Sequence, residues 1–342
     1  MSIGNELLSK SDRLNAILAN YGLAFDTVTQ FVDSSHGNED QRYSFILDNR
    51  YVLKINSSAS VWETRLQGIR RLIDRYRSIG VYCPQLISAL DGCLCVPLTD
   101  GNLSFNCYLE EFSRYPCCGE TNIPERREIV AHLGTLAARY TNVDLSDVYS
   151  MWSILDLSPL DRPCGKDEKQ ENAEALINAL YAAGESELAE SVSCFNKTLR
   201  ESISSKFRLL PRCVFQGDLN LSNVLVDHGH FAGLIDFNLS GTDVNINVFV
   251  NETNWFPEEA DFDQMTVFEM MEAIEQRQAE LLTVILERYR LCDLEELLLP
   301  AYRSICDLFQ FPNVCALRKW LKEPLRKAKA AELISALCAR TQ

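Results

Sequence analysis

A chain of 342 residues, 46% of them hydrophobic, is long enough to bury a sizeable core as one large domain or two lobes, so disorder is not its default state. A formal net charge of −15 disfavours nucleic acid and anionic membrane surfaces as partners. Thirteen cysteines with no C-x-x-C pair, and four histidines outside zinc-site spacing, read as reduced thiols without a zinc centre. No long apolar run occurs, and the start MSIGNELLSKSDRLNAILANYG lacks the regions of a signal peptide, so a cytoplasmic protein is expected, with no protein partner inferable.

In chain order, residues 11 to 20 have helical character. The β-prone runs DTVTQFV, RYSFIL and RYVLKI follow, the last two joined by the turn dipeptide Asp48-Asn49, as in an antiparallel meander. Apolar residues at helical spacing in SVWETRLQGIRRLIDRYRSIG predict a helix that Gly80 stops. PQLISAL, CLCVPL and NCYLEEF, separated by Asp-Gly turns, predict further strands. After Pro116 the pattern turns helical: one helix from Glu125, a polar connection around SPLDRPCGKDEKQEN, and a long helical stretch from 172 to 207. Helical periodicity returns over 264–292, 294–309 and 313–340, interrupted by Pro312 and Pro324.

Between these helical regions lies VFQGDLNLSNVLVDHGHFAGLIDFNLSG, residues 214 to 241. Gly217 permits a sharp turn, Asp218 to Asn223 form a polar loop, and NVLV with FAGLID forms a hairpin around Asp227 to His230. Antiparallel pairing then sets Asn223 close to Asp236, with Asp218 in the adjoining loop. Two carboxylates and an amide converging on one place repel unless a cation lies between them, and all-oxygen ligands suit Mg²⁺. Mg²⁺ with so few protein ligands takes its remaining positions from water and substrate phosphates, which implies a nucleotide.

Gln-Gly-Asp-x-x-x-x-Asn followed by Ile-Asp-Phe resembles the aminoglycoside phosphotransferase and choline kinase family, small-molecule phosphotransferases of the protein-kinase-like fold. Their pattern is His-Gly-Asp-x-x-x-x-Asn and then Asp-Phe at a metal site, with Gln216 here in place of the usual His. The resemblance, which covers about residues 20 to 240, implies an α+β bilobal fold. It has a small antiparallel-sheet N-terminal lobe over 1–112 and a mainly helical C-terminal lobe over 113–342. It implies ATP and Mg²⁺ as cofactors, Asp218 as the catalytic aspartate, and Asn223 and Asp236 as metal ligands. Lys54 in YVLKI matches the family's phosphate-clamping lysine, and a lysine on a buried strand needs a partner, for which Glu63 early in the next helix is the candidate. Ser35 lies in the loop where phosphate is covered, although that loop has a single glycine, Gly37. Glu111 and Phe112 fall at the family's hinge, whose backbone binds adenine, and the helix with Leu-Gly-x-Leu matches the one after it.

The resemblance places the acceptor pocket in the segment after Asp236 and in the helices of 250–342. From Phe231 to Gln276 there is no Lys, Arg or His but ten acidic residues, so either a solvated acidic face or a cation-attracting wall is expected. Glu252 and Trp255 are the candidate contacts for a cationic hydroxyl acceptor, an amino sugar or choline-like amino alcohol. Two rival functions stay open: a pseudokinase acting as a nucleotide-binding regulator or scaffold, to which Gln216 and the glycine-poor loop point, and a nucleotidyl transferase. A protein kinase is the least supported reading, because no Ala-Pro-Glu segment follows Asp236.

Overall fold

The β-prone runs of the first third pair into one antiparallel sheet in the computed structural model, which describes the chain apart from residues 1–10, 36, 38–39, 58, 60, 101, 159–164 and 341–342. The strands are β1 (Val28–Asp33), β2 (Arg42–Leu47), β3 (Tyr51–Ser57), β4 (Leu86–Ile87), β5 (Cys95–Asp100) and β6 (Leu103–Glu111), in the order β1-β2-β3-β6-β4 with β5 also on β6. Asp48 and Asn49 both take left-handed backbone (φ 53° and 52°) between β2 and β3, the conformation that a two-residue hairpin turn demands. Strand alternation separates two faces. On one, Phe45, Leu53, Ile55, Phe105 and Leu109 meet Leu14, Ile17 and Leu18 of the helix α1 (Ser11–Ala19) in an apolar core. Burying each such side chain contributes about 1.5–3 kcal/mol. Lys54, Tyr108 and Glu110 take the alternate positions, with Lys54 opposite Tyr108 in the β3–β6 register.

This first unit comprises residues 1–123 together with 220–236. It contains α2 (Glu63–Ser78), which buries Leu66, Ile69, Leu72 and Ile73, and a hairpin of β8 (Val224–Asp227) and β9 (His230–Leu234). Bridges from Tyr82 to Gly233 and from Cys117 to Leu225 tie that hairpin in. They extend the unit past residue 112 and give it a segment from far along the chain.

The second unit, residues 124–219 and 237–342, is mainly helical. In α3 (Arg126–Tyr140), Gly134 lies against α8 (Val267–Leu286), where a Cβ would come within 2.2 Å of the Ile285 carbonyl oxygen. The glycine of the Leu-Gly-x-Leu pattern therefore serves helix packing. The stretch expected as one helix over 172–207 is two, α4 (Glu168–Ala182) and α5 (Ser186–Ser204), because the chain turns at Gly184 in left-handed backbone. A short sheet pairs β7 (Arg212–Phe215) with β10 (Gly241–Val244). An unexpected helix, α6 (Asn245–Thr253), follows, and α7 (Glu259–Gln264), α8, α9 (Asp293–Phe309), α10 (Phe311–Trp320) and α11 (Lys327–Ala339) complete the unit. Pro312 sits in the first turn of α10, where its missing N–H costs nothing. Among the described residues no helix is long and apolar enough to cross a membrane.

Candidate active site

In the second unit, β7 delivers the chain to Gln216, Gly217 and Asp218. Gly217 has φ +82°, and a Cβ there would fall 2.3 Å from the Leu239 carbonyl oxygen, so only glycine makes this turn. Three successive residues are then pinned by side chains. The indole N–H of Trp152 donates to the Gly217 carbonyl (2.5 Å). The fully buried Gln216 accepts the Asp218 backbone N–H on its Oε1 (2.6 Å). Arg126 donates to the Leu219 carbonyl (3.2 Å) and also to the Glu252 carbonyl (3.0 Å) while pairing with the Glu252 carboxylate (2.5 Å). Burial pushes the Glu252 carboxyl pKa up; Arg126 opposes this, and the Asp218 charge adds to it. Glu252 and Asp218 thus lie within each other's electrostatic field, with Arg126 as counter-charge.

In the first unit, β8 and β9 pair Val224 with Leu234, and the Ile235 N–H donates to the Asn223 carbonyl (3.0 Å). Asn223 and Asp236 therefore occupy the same end of the hairpin. Asp236 has φ +55°, a conformation that costs a non-glycine residue free energy and concentrates at functional positions. Lys54 Nζ lies 3.3 Å from Glu110 Oε1 and 5.8 Å from the Tyr108 ring centroid. Burial pulls the ammonium pKa down, but Glu110, Tyr108 and Asp236 outweigh it and hold Lys54 charged. The donors of Asn223 and Asp236 are hard oxygens with one carboxylate, a set that fits Mg²⁺.

Several expected residues are engaged otherwise. Glu63 is not the partner of Lys54: it accepts the backbone N–H groups of Leu94 (2.9 Å) and Cys95 (3.1 Å) and the Gln67 amide (3.0 Å). Two orphan amides at the start of β5 claim its charge, while Arg65, two residues on, is the α2 side chain whose field reaches Tyr108. Glu110 takes the place expected of Glu63. The Ser35 hydroxyl donates to Asp33 (2.6 Å) and accepts from the Arg42 N–H (3.0 Å), so it is committed within its own hairpin. The Glu111 and Phe112 N–H groups donate to the carbonyls of Gln85 and Arg50 (both 2.9 Å), which leaves neither amide for adenine in this conformation.

The acceptor-side expectations change more. Glu252 is neutralised by Arg126, and the face of Trp255 already carries a cation, the Arg277 guanidinium, 4.1 Å from the ring centroid. The acidic stretch is largely paired. Glu259 meets Lys319 and Arg326, Asp263 meets Arg326, and Glu275 meets Arg303 and Arg340. Glu258 with Asp261, and Thr266 with Glu269, form capping boxes. A cation-attracting wall is not what these carboxylates build, since the terminal helices return the missing positive charge. Sequence reading missed Glu110, Arg126 and Trp152. The only signal for Glu110 was strand alternation, two residues from Tyr108 on the strand facing Lys54.

The family model described as "Phosphotransferase enzyme family" matches residues 32–244. The chain belongs to this phosphotransferase family. No curated protein matches its sequence. Among solved structures, the fold is similar to amicoumacin kinase in complex with AMP-PNP and Ca²⁺ (TM-score 0.54, 13% identity, 99% of this chain and 97% of that one). It is similar also to a microcompartment-associated aminopropanol kinase (0.52, 14%, 96% of each chain) and to a spectinomycin phosphotransferase bound to ADP and spectinomycin (0.52, 12%, 96% and 98%). The family's antiparallel-sheet N-terminal lobe and helical C-terminal lobe are the architecture described above.

Proposed function

We propose that this member of the phosphotransferase family is an ATP- and Mg²⁺-dependent kinase that phosphorylates a hydroxyl group of a small molecule. The observation that carries the reading is the stretch from Gln216 to Asp236: a side-chain-pinned aspartate, then five residues on an amide that a hairpin sets beside a second aspartate. Asp218 orients the attacking hydroxyl and receives its proton, and Lys54, held charged by Glu110, draws the nucleotide phosphates. Asn223 and Asp236 would hold Mg²⁺, which when bound would supply charge neutralisation for the phosphates. Gln216 keeps the Asp218 amide bonded, so the absence of the family's histidine does not by itself favour a pseudokinase.

The acceptor belongs to the small hydroxylated amines by analogy with the substrates named for the aminopropanol kinase and the spectinomycin phosphotransferase. The acidic stretch adds no support to that choice, because most of its carboxylates are paired with cations or cap helices. Thermal-shift titration with Mg-ATP, followed by a screen of ADP formation with amino alcohols, choline and amino sugars, tests the reading. At about 100 times Kd, Mg-ATP stabilises the wild type by about 2.7 kcal/mol. Asp236→Asn loses this shift, whereas Asp218→Asn retains it and loses turnover by about a thousandfold or more. Undiminished turnover in Asp218→Asn overturns the mechanism. Product mass distinguishes phosphate from nucleotidyl transfer, and a wild type without a shift puts first a pseudokinase that acts as a scaffold without nucleotide.

A further inference from the structure

We infer that Arg126 is a positioning residue for Asp218, acting through the backbone of the catalytic loop; this rests on the phosphotransferase reading. One guanidinium at the start of α3 joins the Leu219 carbonyl, one residue beyond Asp218, to both the carbonyl and the carboxylate of Glu252 near the end of α6. Trp152 and Gln216 fix the Gly217 carbonyl and the Asp218 amide on the other side. Without Arg126 the residue directly after Asp218 loses its side-chain anchor, and a carboxylate that must meet a hydroxyl at hydrogen-bond distance loses a restraint on that side. Misplacement of about 1 Å costs up to about a hundredfold in rate.

Glu252 gives the arrangement a second purpose. Its carboxylate is buried within the field of Asp218 and Lys169, and Arg126 is the cation in contact with it. The fork geometry of a guanidinium is needed, because one head group must donate to the Leu219 carbonyl and to both acceptors of Glu252; a lysine ammonium lacks that fixed spread. Arg126 is also reachable from outside. Its side chain is 36% exposed and lines an open cleft of about 780 Å³ between α3 and α8, with Glu125, Thr283 and Glu287.

That access allows a test that separates positioning from structural support. The full-length Arg126→Ala variant is assayed for ADP formation from Mg-ATP, with the best acceptor of the screen or with water, in the presence and absence of ethylguanidinium. The expected result is a kcat lowered about 10- to 100-fold with the KM for Mg-ATP within about twofold of wild type. Ethylguanidinium restores kcat several-fold, and tetramethylammonium at equal concentration does not. Arg127→Ala, on the same helix with its side chain 68% exposed, retains wild-type rates. An unchanged kcat, a loss carried by KM, or a loss that ethylguanidinium does not restore overturns the inference. If Arg126→Ala does not fold, Arg126→Lys decides by the same split between kcat and KM. Asp218→Asn runs in parallel: if it retains turnover the phosphotransferase reading itself falls, and if it is inactive while Arg126→Ala is unaffected, only the role of Arg126 falls.

Discussion

In the first unit the candidate nucleotide groups are fixed by one another's charge: Lys54 contacts Glu110 and feels Asp236, on the sheet face away from the α1 core. In the second, Asp218 is fixed by hydrogen bonds to the backbone on both sides of it, from Trp152, Gln216 and Arg126. Charge fixes which ionic form a group takes, whereas backbone pins fix where it points. Substitutions in the first unit are therefore expected in nucleotide binding and stability, and those in the second in turnover at constant nucleotide affinity.

The largest effect that sharpens this contrast is Lys54→Met. It leaves Glu110 and Asp236 without their shared cation, and removing one partner of a buried pair costs about 3–5 kcal/mol. Glu110→Gln costs less, because Lys54 retains Asp236 and the Tyr108 ring. Chemical denaturation and the Mg-ATP thermal shift measure both, and equal losses in the two variants would contradict the sharing. Next comes Trp152→Phe, which deletes the indole donor to Gly217 while retaining the aromatic body; about 1 kcal/mol of stability and a several-fold drop in kcat are expected, with the Mg-ATP shift intact. A lost shift in this variant would break the division between binding and turnover. Glu63→Gln is the smallest. The amide oxygen still accepts from Leu94 and Cys95, so the loss stays near about 0.5 kcal/mol and Mg-ATP binding is unaffected. Abolished nucleotide binding there would restore Glu63 as the working partner of Lys54.

What the sequence made legible follows how local each determinant is. Asp218, Asn223 and Asp236 lie within nineteen residues, and one hairpin relates the last two, so the constellation was readable directly. The Lys54 partner was not, because it depends on the register between β3 and β6, strands separated by more than forty residues. The helix α6 escaped for another reason. In VNINV the polar and apolar residues alternate as in a strand, yet the helix buries nearly every side. Its asparagines are tolerated inside because each side-chain NH2 group donates: Asn245 to Thr141 and Tyr289, Asn247 to Asp243 and the Trp152 carbonyl, Asn251 to Asn247. No amphipathic period survives such burial. The acidic stretch left a solvated face and a cation-attracting wall both open, since the cations that decide between them lie at 303–340, beyond any local window.

That compensation has a temporal side. A ribosome delivers Glu259, Asp263 and Glu275 before Arg303, Lys319, Arg326 and Arg340 exist to meet them. During that interval residues 258–275 carry seven carboxylates and no cation, a concentrated run of like charge. The helices α9, α10 and α11, made later, then supply the compensating cations. The ion pairs that look like surface decoration in the finished protein are in this sense long-range contacts, joining residues 28 to 65 positions apart in the chain.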